Sequence, residues 1–172
     1  MTLPSNLQEH HTRFLSKAMG GAYPACYFLA VSIFVLSGIR DVFFEWAMGS
    51  QPDLLTDGNR AVFEAVGTVV MGVGLVFVLA TYYKLGITGT YLGDYCGILM
   101  DAKVTSFPFD VLSHPMYTGA TAIFLGQAIR RGSPAGLLLT GVVALVYAVA
   151  ESYEGPFTSM IYATRNRKSK SS

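Results

Sequence analysis

Charged side chains are scarce in this sequence. Lys, Arg, Asp and Glu make up 13% of its 172 residues, whereas 52% are hydrophobic and the net charge is +1. A soluble domain carries roughly 25% charged residues, so an ordinary soluble domain fits poorly. A net charge near zero also offers no basic field for nucleic acid. We therefore expect an all-α, polytopic integral membrane protein whose solvent is lipid.

Cysteine and histidine are scarce as well. The two cysteines, Cys26 in an apolar run and Cys96 in a polar connection, are far apart in the sequence and do not suggest a disulfide framework. His10 and His11 are a terminal pair and His114 has no obvious co-ligands, so we predict no metal site. The first fifteen residues lack the continuous apolar core of a cleavable signal peptide.

Four stretches without charge organise the chain as a single membrane domain over residues 1–172. They cover residues 18–39, 65–83, 111–129 and 132–150. Crossing a hydrocarbon core as a helix takes about 20 apolar residues, so we predict about four transmembrane helices. The turn RRGSP joins the last two stretches into a C-terminal helical hairpin whose open ends share one side. A polar segment (1–17) precedes the spans, and a basic tail (164–172), which we predict to be disordered, follows them.

The distribution of positive charge predicts the orientation. If all four stretches cross, eight of the twelve Lys and Arg residues lie on the side of the termini, and Arg40, Arg60, Arg130 and Arg131 lie on the other. The positive-inside bias then puts both termini in the cytosol. The final KSKSS resembles a dilysine retrieval signal of the endoplasmic reticulum. The alternative is a basic tail that is simply solvated.

A polar cluster, LSHPMYTGA (112–120), opens the third stretch. Ser113 is suited to cap a helix and Pro115 to its first turn, so free N–H groups would face a carboxylate or phosphate on the cytosolic side. His114 and Tyr117 are three residues apart and share a face. A capped helix with an interfacial aromatic belt that includes Phe109 is the alternative.

Two glutamates follow the fourth stretch. Glu151 and Glu154 are spaced i and i+3, and the hairpin puts them on the side of His114 and Tyr117. Carboxylates at a membrane boundary are costly unless they are solvated or paired. Together with the helix start and the aromatic side chains they predict a cytosolic-side pocket for a ligand with both a carboxylate and cationic groups, and S-adenosylmethionine has this chemistry.

Two further features are candidates for ligand binding. The long connection 86–110 offers Asp94 and Tyr95 to a polar headgroup, with solvated loop side chains as the alternative. The Gly72-Val73-Gly74 sequence in the second stretch is a weak nucleotide motif, and by itself indicates close helix packing.

Two blocks together carry a family resemblance. YLGDYCGILMDAKVTSFPFDVLSHPMYTGATAIFLGQAI (91–129) and SPAGLLLTGVVALVYAVAESYEGPFTSMIYA (133–163) resemble the phosphatidylethanolamine and phospholipid N-methyltransferase family of the endoplasmic reticulum, and the similarity extends over about 11–163. The resemblance implies methyl transfer from S-adenosylmethionine to the amine of phosphatidylethanolamine or its mono- and dimethyl forms, within the bilayer. The HPMYTG element also resembles isoprenylcysteine carboxyl methyltransferases.

The resemblance also implies cofactor-binding residues. It assigns that role to Gly72, Val73 and Gly74, and to an acidic pair whose first member is Glu154. The second member is Gly155 here, so either Glu151 supplies the missing charge or the pair is less essential. Relatives commonly carry one more apolar segment before the part that matches residue 11 onward, which indicates either a shorter class or a truncated sequence.

These residues lead to one expected mechanism. Glu151 or His114 removes a proton from the lipid amine, Glu154 holds the cationic part of the cofactor, and aromatic side chains (Tyr117, Tyr153 and Phe109) surround the methylated nitrogen. We expect the later methylation steps, and the mitochondria-associated membrane as a second possible location; the oligomeric state stays open. A prenylcysteine carboxylate needs no proton removed and suits an acidic site poorly. A non-enzymatic scaffold or transporter subunit would place polar residues in the middle of its spans.

Overall fold

The computed structural model describes residues 14–52, 54–91, 93–94, 96–100 and 104–170. The described residues form five helices and no strand, which confirms the all-α prediction. The helices are α1 (Phe14–Ala18), α2 (Ala22–Gly49), α3 (Asp57–Thr90), α4 (Pro115–Arg130) and α5 (Pro134–Lys170).

Three of the described helices are long and apolar enough to cross a membrane. They are α2, α3 and the part of α5 over Pro134–Ile161, and only 11–17% of the most apolar window in each is buried inside the protein. Large apolar side chains such as Phe34 and Leu138 therefore face outward, 70% and 73% exposed, as expected where lipid is the solvent. Helix α4 has 16 residues. At 1.5 Å per residue it spans about 24 Å, less than the roughly 30 Å of a hydrocarbon core.

Helix α2 extends beyond the first charge-free stretch. That stretch stops at residue 39, before the charged sequence RDVFFE, whereas α2 continues to Gly49. The charges do not end the helix because they have partners: Arg40 pairs with Asp41 at 2.9 Å, and Glu45 accepts hydrogen bonds from Gln127 and Arg131. A paired charge loses much of the cost that a membrane helix imposes on it.

Helix α3 is longer than the predicted stretch 65–83 at both ends, and its backbone breaks once. Gly86 has φ 63° and ψ −173°, so the last residues of α3 continue beyond a kink. Glycine has no Cβ and adopts positive φ without steric cost, which explains the residue type at this position.

Residues 164–170, which belong to the tail that we predict to be disordered, continue α5 as helix. No Gly or Pro follows Pro156, and the Arg and Lys residues of this segment are good helix formers that also favour the negative end of the helix dipole. Residues 171–172 lie outside the described residues, as do 1–13 of the predicted polar segment; the remaining residues of that segment, 14–17, belong to α1.

The chain divides into two compact units. Unit 1 comprises Met1–Leu36, Lys84–Val104 and Ser152–Ser172, and unit 2 comprises Ser37–Tyr83 and Thr105–Glu151. Three long helices, α2, α3 and α5, each contribute residues to both units.

In unit 2, α4 packs against three neighbours. Phe44 and Met48 of α2 meet Phe124 and Ala128 of α4 in a buried cluster, with Leu139 and Val143 of α5 beside it. The rings of Phe44 and Phe124 are 4.7 Å apart at 65°. This edge-on arrangement is favourable for aromatic pairs. The third neighbour is α3, and glycines of α3 and α4 form the contact between these two helices.

The α3–α4 contact is a direct approach of two backbones. A Cβ placed on Gly74 would lie 2.5 Å from the carbonyl oxygen of Gly119, and one placed on Gly126 would lie 2.5 Å from the carbonyl oxygen of Gly67. At both contacts there is therefore no space for a side chain on the glycines. Such small residues are the usual means by which membrane helices pack closely.

Unit 1 has its own small core. Ala25 and Cys26 of α2 are buried with Cys96 of the connection after α3, and Leu15, Leu29 and Ile98 pack around them. Both cysteines are free thiols. Cys26 donates a hydrogen bond from Sγ to the carbonyl oxygen of Tyr91 at 3.4 Å. The long connection is therefore attached to the first half of α2.

Candidate functional site

The start of α4 differs from the prediction by one residue. The helix begins at Pro115, so its N-cap is His114 (φ −132°, ψ 68°) and not Ser113. Proline disfavours helical dihedral angles in the residue before it, which moves the cap to position 114. Ser113 is exposed and precedes the cap, and no side chain forms a capping hydrogen bond.

An aromatic row extends from this helix start within unit 2. The ring centroids of His114 and Tyr117 are 6.4 Å apart, which confirms that they share a face of the α4 start. Tyr117 in turn lies 4.8 Å from Tyr147 of α5. The Tyr147 hydroxyl accepts a hydrogen bond from Nη1 of Arg40 at 2.6 Å. The row thus ends at a guanidinium inside α2.

Arg40 and Tyr147 were not found as site residues from the sequence. Arg40 lies inside α2, with its guanidinium carbon 4.7 Å from the ring centroid of Phe124. The only local signal was the spacing of Tyr147, four residues before Glu151 and hence on the same helical face. The partner of Arg40 is 107 residues away in the sequence.

The two glycines of the Gly72-Val73-Gly74 segment lie on different faces of α3. Gly74 is buried against α4, so close packing accounts for its missing side chain. A Cβ on Gly72 would meet nothing within 4 Å, and Val73 is exposed. Residues two apart on an α-helix point to nearly opposite faces. Packing therefore explains Gly74 and leaves Gly72 unexplained.

The acidic end of α5 carries the two predicted glutamates. Glu151 and Glu154 are both half-buried, Gly155 is half-buried, and Tyr153 is 58% exposed. In unit 1, Thr158 lies four residues after Glu154 on the same face of the helix. Its hydroxyl donates a hydrogen bond to Oδ2 of Asp94 at 3.0 Å. Asp94 is thereby held beside the acidic end of α5, and Thr158 is a partner that the sequence did not indicate.

Two other predicted residues lie in the connections. Phe109 is half-buried in the turn before α4, where its backbone N–H donates to the carbonyl oxygen of Ser106 at 2.9 Å. Next to it, the rings of Phe107 and Phe77 are 5.9 Å apart. Tyr95 lies outside the described residues.

Several of the predicted site residues carry groups that suit S-adenosylmethionine. Within the described residues, no group of three or more His, Cys, Asp or Glu side chains is arranged to hold a metal. The start of α4 has no capping side chain and so suits a carboxylate, and the open surface at Gly72 leaves room beside α3. Aromatic rings and carboxylates, the groups that stabilise organic cations, are represented by the aromatic row and by Glu151 and Glu154.

Comparison with known proteins identifies one family and several relatives. Residues 62–165 match the phospholipid methyltransferase family. Phosphatidyl-N-methylethanolamine N-methyltransferase of Saccharomyces cerevisiae is 49% identical over 164 residues, 94% of this chain and 78% of the yeast protein. Phosphatidylethanolamine N-methyltransferase of Homo sapiens is 51% identical over 154 residues, 90% of this chain and 77% of the human protein. No solved structure matches.

The chain therefore belongs to the phospholipid methyltransferase family. The prediction of a membrane enzyme that methylates phospholipids is confirmed.

Proposed function

We propose that the protein transfers methyl groups from S-adenosylmethionine to the amine of phosphatidylethanolamine and of its mono- and dimethyl derivatives, chiefly in the later steps that lead to phosphatidylcholine. One observation supports this most directly. Over nine-tenths or more of its length the chain is 49% and 51% identical to relatives named for the monomethyl lipid and for phosphatidylethanolamine, respectively.

The proposed arrangement in the membrane has four crossing segments, with α4 as the short one, and both termini in the cytosol. The excess of Lys and Arg on the side of the termini supports this orientation. The basic C-terminal sequence supports the endoplasmic reticulum as the location, with the mitochondria-associated membrane as a second site. The cofactor pocket then opens on the cytosolic side, where the lipid headgroup is also accessible.

The proposed cofactor-binding residues contact the oppositely charged groups of S-adenosylmethionine. The start of α4, with Ser113 and Tyr117, binds the carboxylate through backbone and side-chain donors. Glu154 balances the positive charge, next to Gly155, while Gly72 and Val73 offer the surface of α3 and Gly74 fixes that helix against α4. When bound, S-adenosylmethionine supplies a methyl group on a positively charged sulfur, and the bond to sulfur breaks as the bond to nitrogen forms.

The proposed acceptor residues prepare the amine. A lipid ammonium has no lone pair, so Glu151 or His114 first removes a proton, directly or through water. Asp94 and Tyr95 contact the polar headgroup. The faces of Tyr117, Tyr153 and Phe109 stabilise the cationic nitrogen of the product. No protein nucleophile is required, since positioning amine and methyl carbon in line accounts for most of the acceleration.

The test is methyl transfer from labelled S-adenosylmethionine by the purified chain in micelles that contain one defined lipid at a time. We expect label in the monomethyl and dimethyl lipids at a higher rate than in phosphatidylethanolamine. The label in each product should withstand alkaline hydrolysis, because an N-methyl group is stable to base.

Two outcomes would contradict the proposal. Label only in a prenylcysteine acceptor, released by mild base as methanol, would indicate a carboxyl methyltransferase. No label in any acceptor, from protein that binds lipid and remains folded, would indicate a non-enzymatic membrane protein.

A further inference from the structure

Unit 2 contains a cavity that none of the proposed active-site residues line. Its volume is about 390 Å³. It is formed where α2 ends, α3 begins, α4 ends and α5 begins. The residues that matter for its chemistry are Arg60, Glu64, Gln127, Arg130, Arg131 and Ser133.

The charged groups of the cavity are predominantly positive. Among the described residues, three guanidinium groups and one carboxylate line it. Arg131 is paired with Glu45, which also accepts a hydrogen bond from Gln127. Arg130 is half-buried, and its Nε is buried and has no hydrogen-bond partner among the described residues. A buried N–H donor without an acceptor is costly, so this Nε is expected to have a partner that the protein itself does not supply.

Packing holds Arg130 in this position. A Cβ on Gly67 of α3 would overlap Cγ of Arg130 and approach its backbone nitrogen to 2.7 Å. The stem of the side chain is therefore confined against the bare backbone of α3. A confined guanidinium loses less conformational entropy when it binds an anion than one on a free side chain does.

The distribution of charge along the sequence also favours an anion site in this cavity. In the proposed orientation this cavity lies on the non-cytosolic side, where Lys and Arg are disfavoured. Three of the four basic residues initially assigned to that side nevertheless line this one cavity. Three arginines concentrated in this way are typical of a site for a planar or tetrahedral oxyanion.

We propose that this cavity binds a phosphate group, on the side of the membrane opposite to methyl transfer. Arg130 and Arg60 donate hydrogen bonds to the phosphate oxygens. The volume exceeds that of a single anion and lies within the usual range for small-molecule sites, about 300–1,000 Å³. Glu64 is available for a cationic group on the same ligand, as in the headgroup of phosphatidylethanolamine. The phosphate can come from such a headgroup or from a soluble phosphate ion.

The test counts bound ligands by native mass spectrometry of the whole chain in detergent. Wild type, Arg130→Gln and Arg60→Gln are compared, with Lys84→Gln as the control for loss of an exposed positive charge outside the cavity. Each is given phosphatidylethanolamine, a diacylglycerol with the same acyl chains, or inorganic phosphate. We expect wild type and Lys84→Gln to retain one more phospholipid than either arginine variant. If the arginine variants still retain it, we expect their affinity for it to be at least tenfold lower.

The source of the phosphate follows from the same spectra. Retention of the extra phospholipid alone identifies a headgroup site, whereas an arginine-dependent adduct of inorganic phosphate identifies a site for the soluble ion. Equal numbers of bound ligands in all four proteins, or equal retention of diacylglycerol and phospholipid, would overturn the proposal. Methyl-transfer kcat should be unchanged in Arg130→Gln, so failure of this site is distinguishable from failure of the proposed enzyme activity.

Discussion

At the scale of single residues, Arg40 and Tyr147 show how a charge is accommodated within an apolar helix. Arg40 pairs with Asp41, lies over the ring of Phe124, and donates to the Tyr147 hydroxyl. Tyr147 also stacks near Tyr117, a proposed active-site residue. The guanidinium therefore orients the aromatic row through one hydrogen bond.

Replacing Tyr147 with Phe tests this bond. The variant keeps the ring beside Tyr117 but removes the acceptor of Arg40, so we expect a loss of stability of about 1 kcal/mol, because Arg40 retains Asp41. The loss is measured by thermal unfolding in detergent. Tyr83→Phe, at an 87% exposed position, is the control and should change stability little. Equal effects of the two changes would show that the bond to Arg40 contributes nothing.

The proposed role of Glu154 separates binding of cofactor from binding of lipid. In Glu154→Gln we expect the KM for S-adenosylmethionine to rise about tenfold, as for loss of a partly desolvated charge partner, with a smaller change in the KM for lipid. Asp57→Asn, an exposed acidic position in the first turn of α3, is the matched control. An unchanged KM for S-adenosylmethionine in Glu154→Gln would remove Glu154 from this role.

At the scale of helices, the two glycines of the Gly-x-Gly sequence have different surroundings. Gly74 meets the backbone of α4, whereas Gly72 faces open space. A sequence motif that reads as one element is thus split between packing and an exposed surface. The split follows from helix geometry, since two residues two positions apart cannot share a face.

Alanine at each position tests the split. Gly74→Ala puts a Cβ 2.5 Å from the Gly119 carbonyl oxygen. We expect it to lower stability by about 1–3 kcal/mol, as overpacking does. Gly72→Ala should leave stability unchanged or raise it by up to about 1 kcal/mol, since Ala favours helix, and raise the KM for S-adenosylmethionine. Thermal unfolding and steady-state kinetics measure the two effects; a destabilised Gly72→Ala or an unaffected Gly74→Ala would contradict the assignment.

At the scale of the whole molecule, composition was sufficient to predict a helical membrane protein. The shortage of charge and three of the four apolar stretches correspond to the helices long enough to cross a membrane. The ends of those helices were not predictable from apolar runs, because α2 continues through charges whose partners lie on distant parts of the chain. The shared face of His114 and Tyr117 was local and therefore predictable. The cavity with Arg130 was not, since four separate helix ends form it.

The proposed orientation is testable because the sequence contains no N-x-[ST] acceptor for glycosylation. We expect an acceptor-bearing insertion in the connection between α2 and α3 to become glycosylated in the endoplasmic reticulum, since that connection would face the lumen. The same insertion after residue 172 should stay unmodified. The readout is a mobility shift that an endoglycosidase reverses, and the opposite pattern would invert the topology.

The glycine contacts of α3 and α4 have a mechanical consequence. Gly67 and Gly74 meet Gly126 and Gly119, respectively, so the two contact points are seven residues apart on each helix. That spacing is about 10 Å along the axis. A single contact would let α4 rotate relative to α3, whereas two contacts fix the angle between the two helices. Any movement of α4 away from α3 would therefore have to break both contacts at once.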